Sequence, residues 1–367
     1  MGNVAVRQQI LKRRKFHDFA VSSATDFELG ASEPYDSAGI LSDPHISLYA
    51  LDFERSVACF VELPANVVLE TEPFVYLAQF AVATHLITIS LDEFNELAAA
   101  ISFDDSHLIL VHSVGRCGST LVSRVLESVP SVRSLSEPDA FTNLVAWRGL
   151  QSSGDSEIQR LLASCTLFCC KHLSGSTSPA SVAIKFRSQC IEIDDLLAAA
   201  FPAAKRLYLT RDPIPRLASM YRAFVDPEEI EKLDYRRQME DAFAPLHPLT
   251  EREVVAGAPM PVWKLILLDW IANSECFRSL QDRGIPYLVV DYAELKQNGL
   301  NTIIRILEYC ELPMPDHAVI EECLARDSQQ GSGIDQALVR HPSRELPDSM
   351  QANATELLKT YGYAVNG

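Results

Sequence analysis

Five short apolar runs beyond the first hundred residues constrain the fold more than any other feature of the sequence. They read HLILVHS, VRSLSEP, SVAIKFR, KRLYLTR and PYLVVDY, and helix-sized segments separate them. Strands that alternate with helices predict a parallel sheet with helices on both faces, an α/β fold. Ligands of such sheets bind at the carboxyl ends of the strands. Each run ends in polar residues, which are Ser113, Glu137, Lys185 with Arg187, Arg211 and Asp291.

The first hundred residues lack that alternation. We expect residues 1–100 to form a small α+β extension of unknown role, ahead of an α/β domain at 101–367. Residues 1–45 have no clear periodicity and predict a mostly irregular surface arm. SLYALDF and SVACFVELP alternate like the two arms of a hairpin. The stretch 74–86 predicts a helix, and S-x-x-E from Ser90 fits a capping box that starts a second helix.

Composition limits the partners of the chain. A net charge of −17 and a pI near 5.0 argue against general nucleic-acid binding, so any anionic ligand needs a local cluster of donors. The nine cysteines form no C-x-x-C pair, which favours a reducing, cytoplasmic setting over a disulfide framework. The most apolar stretch, 74–89, is interrupted by Gln79 and His85, and it is too short to predict a membrane span.

The segment VHSVGRCGSTL predicts an anion-binding loop. The strand ends near Ser113, the turn contains Gly115 and Gly118, and a helix begins near Ser119. Small residues let backbone N–H groups point at an anion, and the helix N-terminus adds its positive dipole end. The alternative is a strand-to-helix turn that merely needs glycine.

Named motifs with other chemistries do not fit this loop. A nucleotide-triphosphatase loop needs lysine after the second glycine, where Ser119 and Thr120 stand. A cysteine phosphatase needs arginine six positions after the cysteine, and Arg124 lies one position too far from Cys117. A nucleophile elbow is absent. Proximity to a helix N-terminus would lower the thiol pKa of Cys117, although a packing role fits this residue better.

A second anion signal follows about ninety residues later, in KRLYLTRDPIPRLASMYR. Arg211 ends a strand, and Ser219 and Arg222 lie three apart on the next helix. Two guanidinium groups and a hydroxyl make a fork for a dianionic phosphate. Two such sites on one sheet predict a ligand that carries a phosphate at each end.

These segments resemble the PAPS-dependent sulfotransferase family, whose P-loop-like enzymes bind 3′-phosphoadenosine 5′-phosphosulfate. VGRCGSTL resembles the family's 5′-phosphosulfate loop, with Arg116 where many members carry lysine. FPAAKRLYLTRDPIPRLASMYR resembles the 3′-phosphate strand and helix, including the separation of eight between Arg211 and Ser219. YLVVDYAELKQNGLNTIIRILEYCEL resembles the strand and helix near the family's C-terminus. The resemblance spans about 107–345.

The resemblance implies which residues bind PAPS, without a metal. Backbone N–H groups and side chains of the loop would surround the 5′-phosphate: Gly115, Arg116, Cys117, Gly118, Ser119 and Thr120. Arg211, Ser219 and Arg222 would bind the 3′-phosphate, assisted by Arg340 in the glycine-containing segment 327–341.

The resemblance also raises the question of the general base. Cytosolic members place a histidine two residues after a strand-end lysine, whereas this chain reads Lys185-Phe186-Arg187. If Lys185 acts near the transferring sulfonate, arginine holds the histidine's position, and it is a very poor base. Glu137 is the better candidate, and its alternative role is a salt bridge or a helix cap. His112 fits a hydrogen-bonded core histidine, and His172 could also reach in.

The function that this resemblance implies is transfer of a sulfonate from PAPS to a hydroxyl or amine of a small-molecule acceptor. A nucleotide-binding module without turnover and, less favoured, a small-molecule kinase are the alternatives. The segment 225–262 is either a lid over the acceptor or a solvated connection. The acceptor and the oligomeric state are left open by the sequence.

Overall fold

The computed structural model of the protein describes residues 5–15, 19–150, 154–171, 181–224, 249, 252–253, 260–326 and 345–364. Within these ranges the strands form two five-stranded sheets. The first sheet is antiparallel and consists of β1 (Val6–Arg13), β2 (Phe27–Pro34), β3 (Ile46–Asp52), β4 (Val57–Glu62) and β5 (His85–Ser90). Its spatial order is β2-β1-β5-β4-β3. Three helices accompany it: α1 (Ala38–Ser42), α2 (Val75–Val82) and α3 (Leu91–Ala99).

This sheet partly corrects the expectations for the N-terminal region. The irregular arm predicted for residues 1–45 is wrong over β1 and β2, which pair with each other. Most of β1 is partly or fully exposed, so its apolar alternation is weak even though it lies between two strands. The helix predicted over 74–86 is shorter, because β5 begins at His85. The hairpin is confirmed by the antiparallel pairing of β3 and β4. Of the predicted capping box, the structure shows the Ser90 half, because Ser90 Oγ accepts the N–H of Glu93 at 3.2 Å.

The second sheet is parallel and contains all five of the strands that the apolar runs predict. They are β6 (Leu108–Ser113), β7 (Val132–Ser136), β8 (Ser181–Lys185), β9 (Lys205–Thr210) and β10 (Leu288–Asp291). Their order is β10-β9-β6-β8-β7, with parallel pairing throughout. β6, β8 and most of β9 are buried, as expected for strands covered on both faces. The predicted α/β fold is therefore confirmed.

Ten further helices follow β6 within the described ranges. They are α4 (Ser119–Glu127), α5 (Ala140–Leu150), α6 (Asp155–Cys170), α7 (Asp194–Ala200), α8 (Pro213–Phe224), α9 (Val262–Asp282), α10 (Tyr292–Gln297), α11 (Gly299–Tyr309), α12 (His317–Ala325) and α13 (Asp348–Thr360). Single turns of 3-10 helix occur at Ala24–Asp26, Leu69–Thr71 and Asp105–His107, and a longer one at Ser188–Ile193. No helix of the described ranges has the length and apolarity that crossing a bilayer requires.

Helices α5 and α6 connect the two sheets. They pack on β3, and α6 also packs on α3. The ring of Phe168 on α6 lies 5.0 Å from those of Phe60 on β4 and Phe94 on α3. The same apolar core contains Leu110 and Ile184 of the parallel sheet. Burying each ring contributes about 1.5–3 kcal/mol, which holds the N-terminal sheet against the parallel one. The division at residue 100 stays a prediction.

Candidate active site

The carboxyl ends of the parallel strands meet at one edge of the second sheet. In the order of the strands, that edge carries Asp291, Arg211, Ser113, Lys185 and Glu137. Asp291 serves as a helix cap, because its Oδ1 accepts a backbone N–H of α10 at 2.7 Å. Ser113 leads into the loop after β6, Arg211 and Lys185 lie at the ends of the strands on either side of β6, and Glu137 lies one strand farther out.

That loop has the backbone of an anion cradle. Gly115, Arg116 and Gly118 have φ angles of +75°, +54° and +86°, in the left-handed region that favours glycine. Helix α4 begins at the next residue without a side-chain cap. The N–H groups of its first turn therefore face the loop with the positive end of the helix dipole behind them. The predicted strand, loop and helix are confirmed.

Gly118 is needed for space as well as for its backbone angle. A Cβ built at this position would lie 2.6 Å from Leu295 Cδ2 and 3.5 Å from Tyr292 Cδ2. Helix α10 thus packs directly against the loop. The contact fixes the loop from the side of β10.

The two predicted anion sites adjoin each other. Arg116 Nε donates to Ser219 Oγ at 3.2 Å, and Arg211 Nη1 donates to the carbonyl of Arg116 at 2.7 Å. Residues ninety or more apart in the chain are brought into direct contact. Arg222 follows Ser219 by three positions on α8 and is half-buried. The sequence signals on β6 and β9 therefore belong to one site.

Arg211 has an N–H donor that no described residue accepts. Its Nε is buried and has no hydrogen-bond partner among these residues, and its guanidinium carbon lies 4.2 Å from the ring centroid of Tyr292. Burial lowers the pKa of Arg211 from its ordinary value. A buried guanidinium with an unspent N–H is costly unless an anion completes it.

Three residues that the sequence analysis did not single out hold the site in place. Arg216 donates to the Val114 carbonyl at 2.6 Å and bonds α9. Asn273 of α9 donates to the Ser113 carbonyl at 3.3 Å, and Trp270 Nε1 donates to the Arg211 carbonyl at 2.9 Å. A signal for Arg216 existed, because it precedes Ser219 by three positions on the same helix.

Lys185 and Glu137 form an ion pair at the ends of β8 and β7. The pair is fixed through the backbone too, since the N–H of Glu137 donates to the carbonyl of Lys185 at 2.6 Å. Glu137 has a φ of +59°, a left-handed angle that is unusual for a non-glycine residue. This is the salt bridge that the sequence left open for Glu137, and the role of base stays a prediction.

Arg187, which stands in the histidine's position, is a structural residue. Its Nε lies 2.7 Å from Asp139 Oδ1, its Nη2 donates to Asp139 Oδ2 at 2.9 Å, and its Nη1 donates to the Phe19 carbonyl at 2.9 Å. Burial disfavours the charge, but Asp139 more than compensates and raises the pKa of Arg187 above its ordinary value. Proton acceptance by Arg187 is therefore excluded, as the sequence predicts.

The family model of sulfotransferases matches residues 109–316, which include both parts of this site. The chain belongs to the sulfotransferase family. Family membership supports sulfuryl transfer in general. No curated protein matches the sequence at a significant level.

Solved sulfotransferases resemble this family member at low identity. The enzyme from Alicyclobacillus acidocaldarius is 16% identical, with 70% of this chain and 92% of that one covered and a TM-score of 0.40. The sulfotransferase domain of the Synechococcus olefin synthase is 18% identical, with coverages of 71% and 95% and a TM-score of 0.36. A mouse sulfotransferase complexed with PAP is 13% identical, with coverages of 74% and 88% and a TM-score of 0.38.

The structure describes two of the four remaining residues that the sequence analysis considered for the site of this sulfotransferase. Cys117 is fully buried, and burial raises the pKa of its thiol, so the expectation of a lowered pKa is wrong and the packing role is confirmed. Its Sγ lies 3.5 Å from the Leu209 carbonyl, inside the core. His112 is confirmed as a core histidine, fully buried with Nε2 3.1 Å from Asp194 Oδ1. His172 and Arg340 lie outside the described residues, as does most of the segment predicted as a lid.

Proposed function

We propose that this sulfotransferase uses PAPS as donor and transfers the sulfonate to a hydroxyl or amine of a small-molecule acceptor. The observation that carries the proposal is the buried Nε of Arg211, which has no hydrogen-bond partner among the described residues and lies beside a loop of left-handed residues. An unspent cationic donor next to a helix N-terminus fits a phosphorylated ligand. The contact between Arg116 and Ser219 supports a ligand with two phosphate groups, because it joins the two predicted anion sites.

The residues present fit the donor. The N–H groups of 115–120, with the side chains of Arg116, Ser119 and Thr120, would hold the 5′-phosphate. Arg211, Ser219 and Arg222 would hold the 3′-phosphate. When bound, PAPS supplies an activated sulfonate with a phosphate as its leaving group.

The chain's own residues would carry the charge and the proton. An ammonium has three donors, and among the described residues Lys185 gives one to Glu137. Its remaining N–H groups would stabilise anionic oxygens of the sulfonate and the bridging oxygen. The Glu137 carboxylate would accept the proton that the acceptor loses during attack. Binding, in-line positioning and charge stabilisation would supply most of the rate enhancement, as in phosphoryl transfer.

Calorimetry with adenosine 3′,5′-bisphosphate, with and without Mg²⁺, tests the donor. Tight binding that does not need Mg²⁺ is expected, whereas binding of Mg²⁺-ATP alone would support a kinase and overturn the proposal. Transfer of radiolabelled sulfonate to a library of hydroxyl and amine acceptors then tests turnover. Binding without any transfer would leave a nucleotide-binding module.

Glu137→Gln tests the base. This substitution keeps the shape of the side chain and removes its ability to accept a proton, so we expect nearly unchanged bisphosphate affinity and loss of turnover. Loss of both would assign Glu137 to binding instead. The cytoplasmic location and the absence of a metal requirement stay predictions.

A further inference from the structure

A small aromatic cluster from the N-terminal region lies against the end of β8. It consists of buried Phe74 and Tyr76 with partly buried Phe19 and Leu77, and it is separate from the two large apolar cores. The ring of Phe74 lies 6.0 Å from that of Tyr76 and 6.5 Å from that of Phe19.

The cluster contacts both cations at the end of β8. Lys185 Nζ lies 5.2 Å from the ring centroid of Phe74, and Arg187 Cζ lies 3.9 Å from that of Tyr76. The ring faces of aromatic residues attract cations within about 6 Å. Two residues of the N-terminal region thus stabilise the two basic side chains at the positions of the family's lysine and histidine, of which the second is arginine in this chain.

The two cations differ in what is left for a ligand. Arg187 is bonded by Asp139 and the Phe19 carbonyl in addition to Tyr76. Lys185 is 3% exposed and, among the described residues, bonds the Glu137 carboxylate alone. A ring face attracts the charge of an ammonium and supplies no lone-pair acceptor of its own, so Phe74 fixes Lys185 while leaving N–H donors for anionic oxygens.

We propose that Phe74 is a positioning residue for the sulfonate-binding Lys185, and that the N-terminal region is therefore part of the catalytic site. This inference rests on the proposed function, because it assigns the held ammonium to the transferring group. Phe74 acts through the π-electron density of its ring. A side chain of the same volume without that density would not replace it.

Fluorinated phenylalanines at position 74 test the inference, because successive fluorine atoms weaken the ring's negative face with little change of volume. We expect kcat to fall stepwise, reaching about 5- to 30-fold for a trifluorinated ring, from the strength of a desolvated cation–π contact. PAPS carries the sulfonate and the bisphosphate product does not. Calorimetry should therefore give weaker PAPS affinity, several-fold, with bisphosphate affinity unchanged.

Phe74→Leu should lower kcat and PAPS affinity in the same way, and Phe74→Tyr, which keeps an aromatic ring, should retain the wild-type values. Phe27→Leu is the matched control: Phe27 is a similarly buried ring of the N-terminal sheet that packs on the rings of Tyr49 and Phe80. It should lose stability and keep both kcat and the ratio of the two affinities. A double-mutant cycle of Phe74→Leu with Lys185→Met on the thermal midpoint should give non-additive shifts.

Unchanged kcat and unchanged PAPS affinity across the fluorinated series, in a protein that does transfer sulfonate, would reduce Phe74 to a packing residue and leave the proposed function intact. A wild-type protein that binds neither PAPS nor the bisphosphate would overturn the proposed function, and this inference with it. The two failures are therefore distinguishable.

Discussion

Arg187 follows β8 and Arg211 follows β9 at the same edge of the parallel sheet. The two arginines differ in the groups that surround their charge. Arg187 is paired side-on with the buried carboxylate of Asp139 and is 7% exposed. Arg211 bonds a single carbonyl, stacks on Tyr292 and keeps a buried Nε without a hydrogen bond among the described residues. Burial disfavours the charge of both, yet the pKa of Arg187 is raised and that of Arg211 is lowered. The neighbouring carboxylate makes the difference.

The comparison separates a structural arginine from a ligand-binding one. The Arg187 and Asp139 pair also accepts bonds from the backbone and hydroxyl of Ser22, both at 2.9 Å, and so holds the N-terminal region to the sheet edge. The charge of Arg187 is paired and both of its terminal nitrogens are hydrogen-bonded within the protein. Among the described residues, Arg211 makes one hydrogen bond and its Nε makes none. A buried donor without a partner costs more free energy in the free protein than in a complex.

The largest effect should come from breaking the structural pair. Asp139→Ala leaves a buried guanidinium unpaired, which costs about 3–5 kcal/mol of unfolding free energy. Urea denaturation measures this loss. Asp139→Asn should cost less, because its amide oxygen still accepts from Ser22. A loss below about 1 kcal/mol for the alanine variant would show that the pair is not structural.

Arg211→Ala should give the opposite result, in binding and not in stability. Removing charge-assisted hydrogen bonds of roughly 1.5–3 kcal/mol each should weaken adenosine 3′,5′-bisphosphate binding by about 100-fold. The unfolding free energy should change little, since no carboxylate among the described residues loses its partner. Arg283→Ala is the control. Arg283 is an exposed arginine directly after the last residue of α9, and its substitution should leave affinity unchanged. Strong destabilisation by Arg211→Ala would erase the contrast with Arg187.

The parallel sheet could be predicted because its strands are buried on both faces and read as apolar runs. The N-terminal sheet could not be predicted fully, because β1 carries Arg7, Gln8 and Gln9 in a row and leaves little apolar alternation. Strand order also lies beyond a single sequence. The positions of β8 and β9 on the two sides of β6 depend on tertiary packing of the segments that connect the strands.

The candidate site, too, could be predicted only in part from the sequence. The loop, Arg211 and Ser219 have local signals, namely spaced glycines and a strand end followed by a helix. Phe74 and Lys185 are more than a hundred residues apart, and nothing in either local sequence announces their contact. Arg187 was recognised as a poor base from its chemistry, whereas its pairing with Asp139 needed the fold.

Gly118→Ala tests whether close packing of the loop supports the donor site. The new Cβ would lie 2.6 Å from Leu295 Cδ2, and a left-handed alanine costs about 1–2 kcal/mol by itself. We expect bisphosphate affinity to fall about tenfold as the loop shifts. Gly284→Ala is the matched control, because φ is +83° there and no atom lies within 4 Å of the added Cβ. Equal affinity losses in both variants would contradict a local role of Gly118.

The smallest effect should come from Tyr292, which shapes Arg211 without replacing its hydrogen bonds. Tyr292→Leu removes a ring 4.2 Å from the guanidinium, and the lost contact of about 0.5–1 kcal/mol should weaken bisphosphate binding roughly 2- to 5-fold in calorimetry. Tyr292→Phe keeps the ring and should bind like the wild type. Tyr309→Leu removes a comparable contact with Lys205, 5.9 Å away, and should leave affinity unchanged. If Tyr292→Leu had no effect on affinity while Arg211→Ala abolished it, hydrogen bonds and the protein backbone alone would hold Arg211 in place. The contrast with Arg187 would then rest on Asp139 alone.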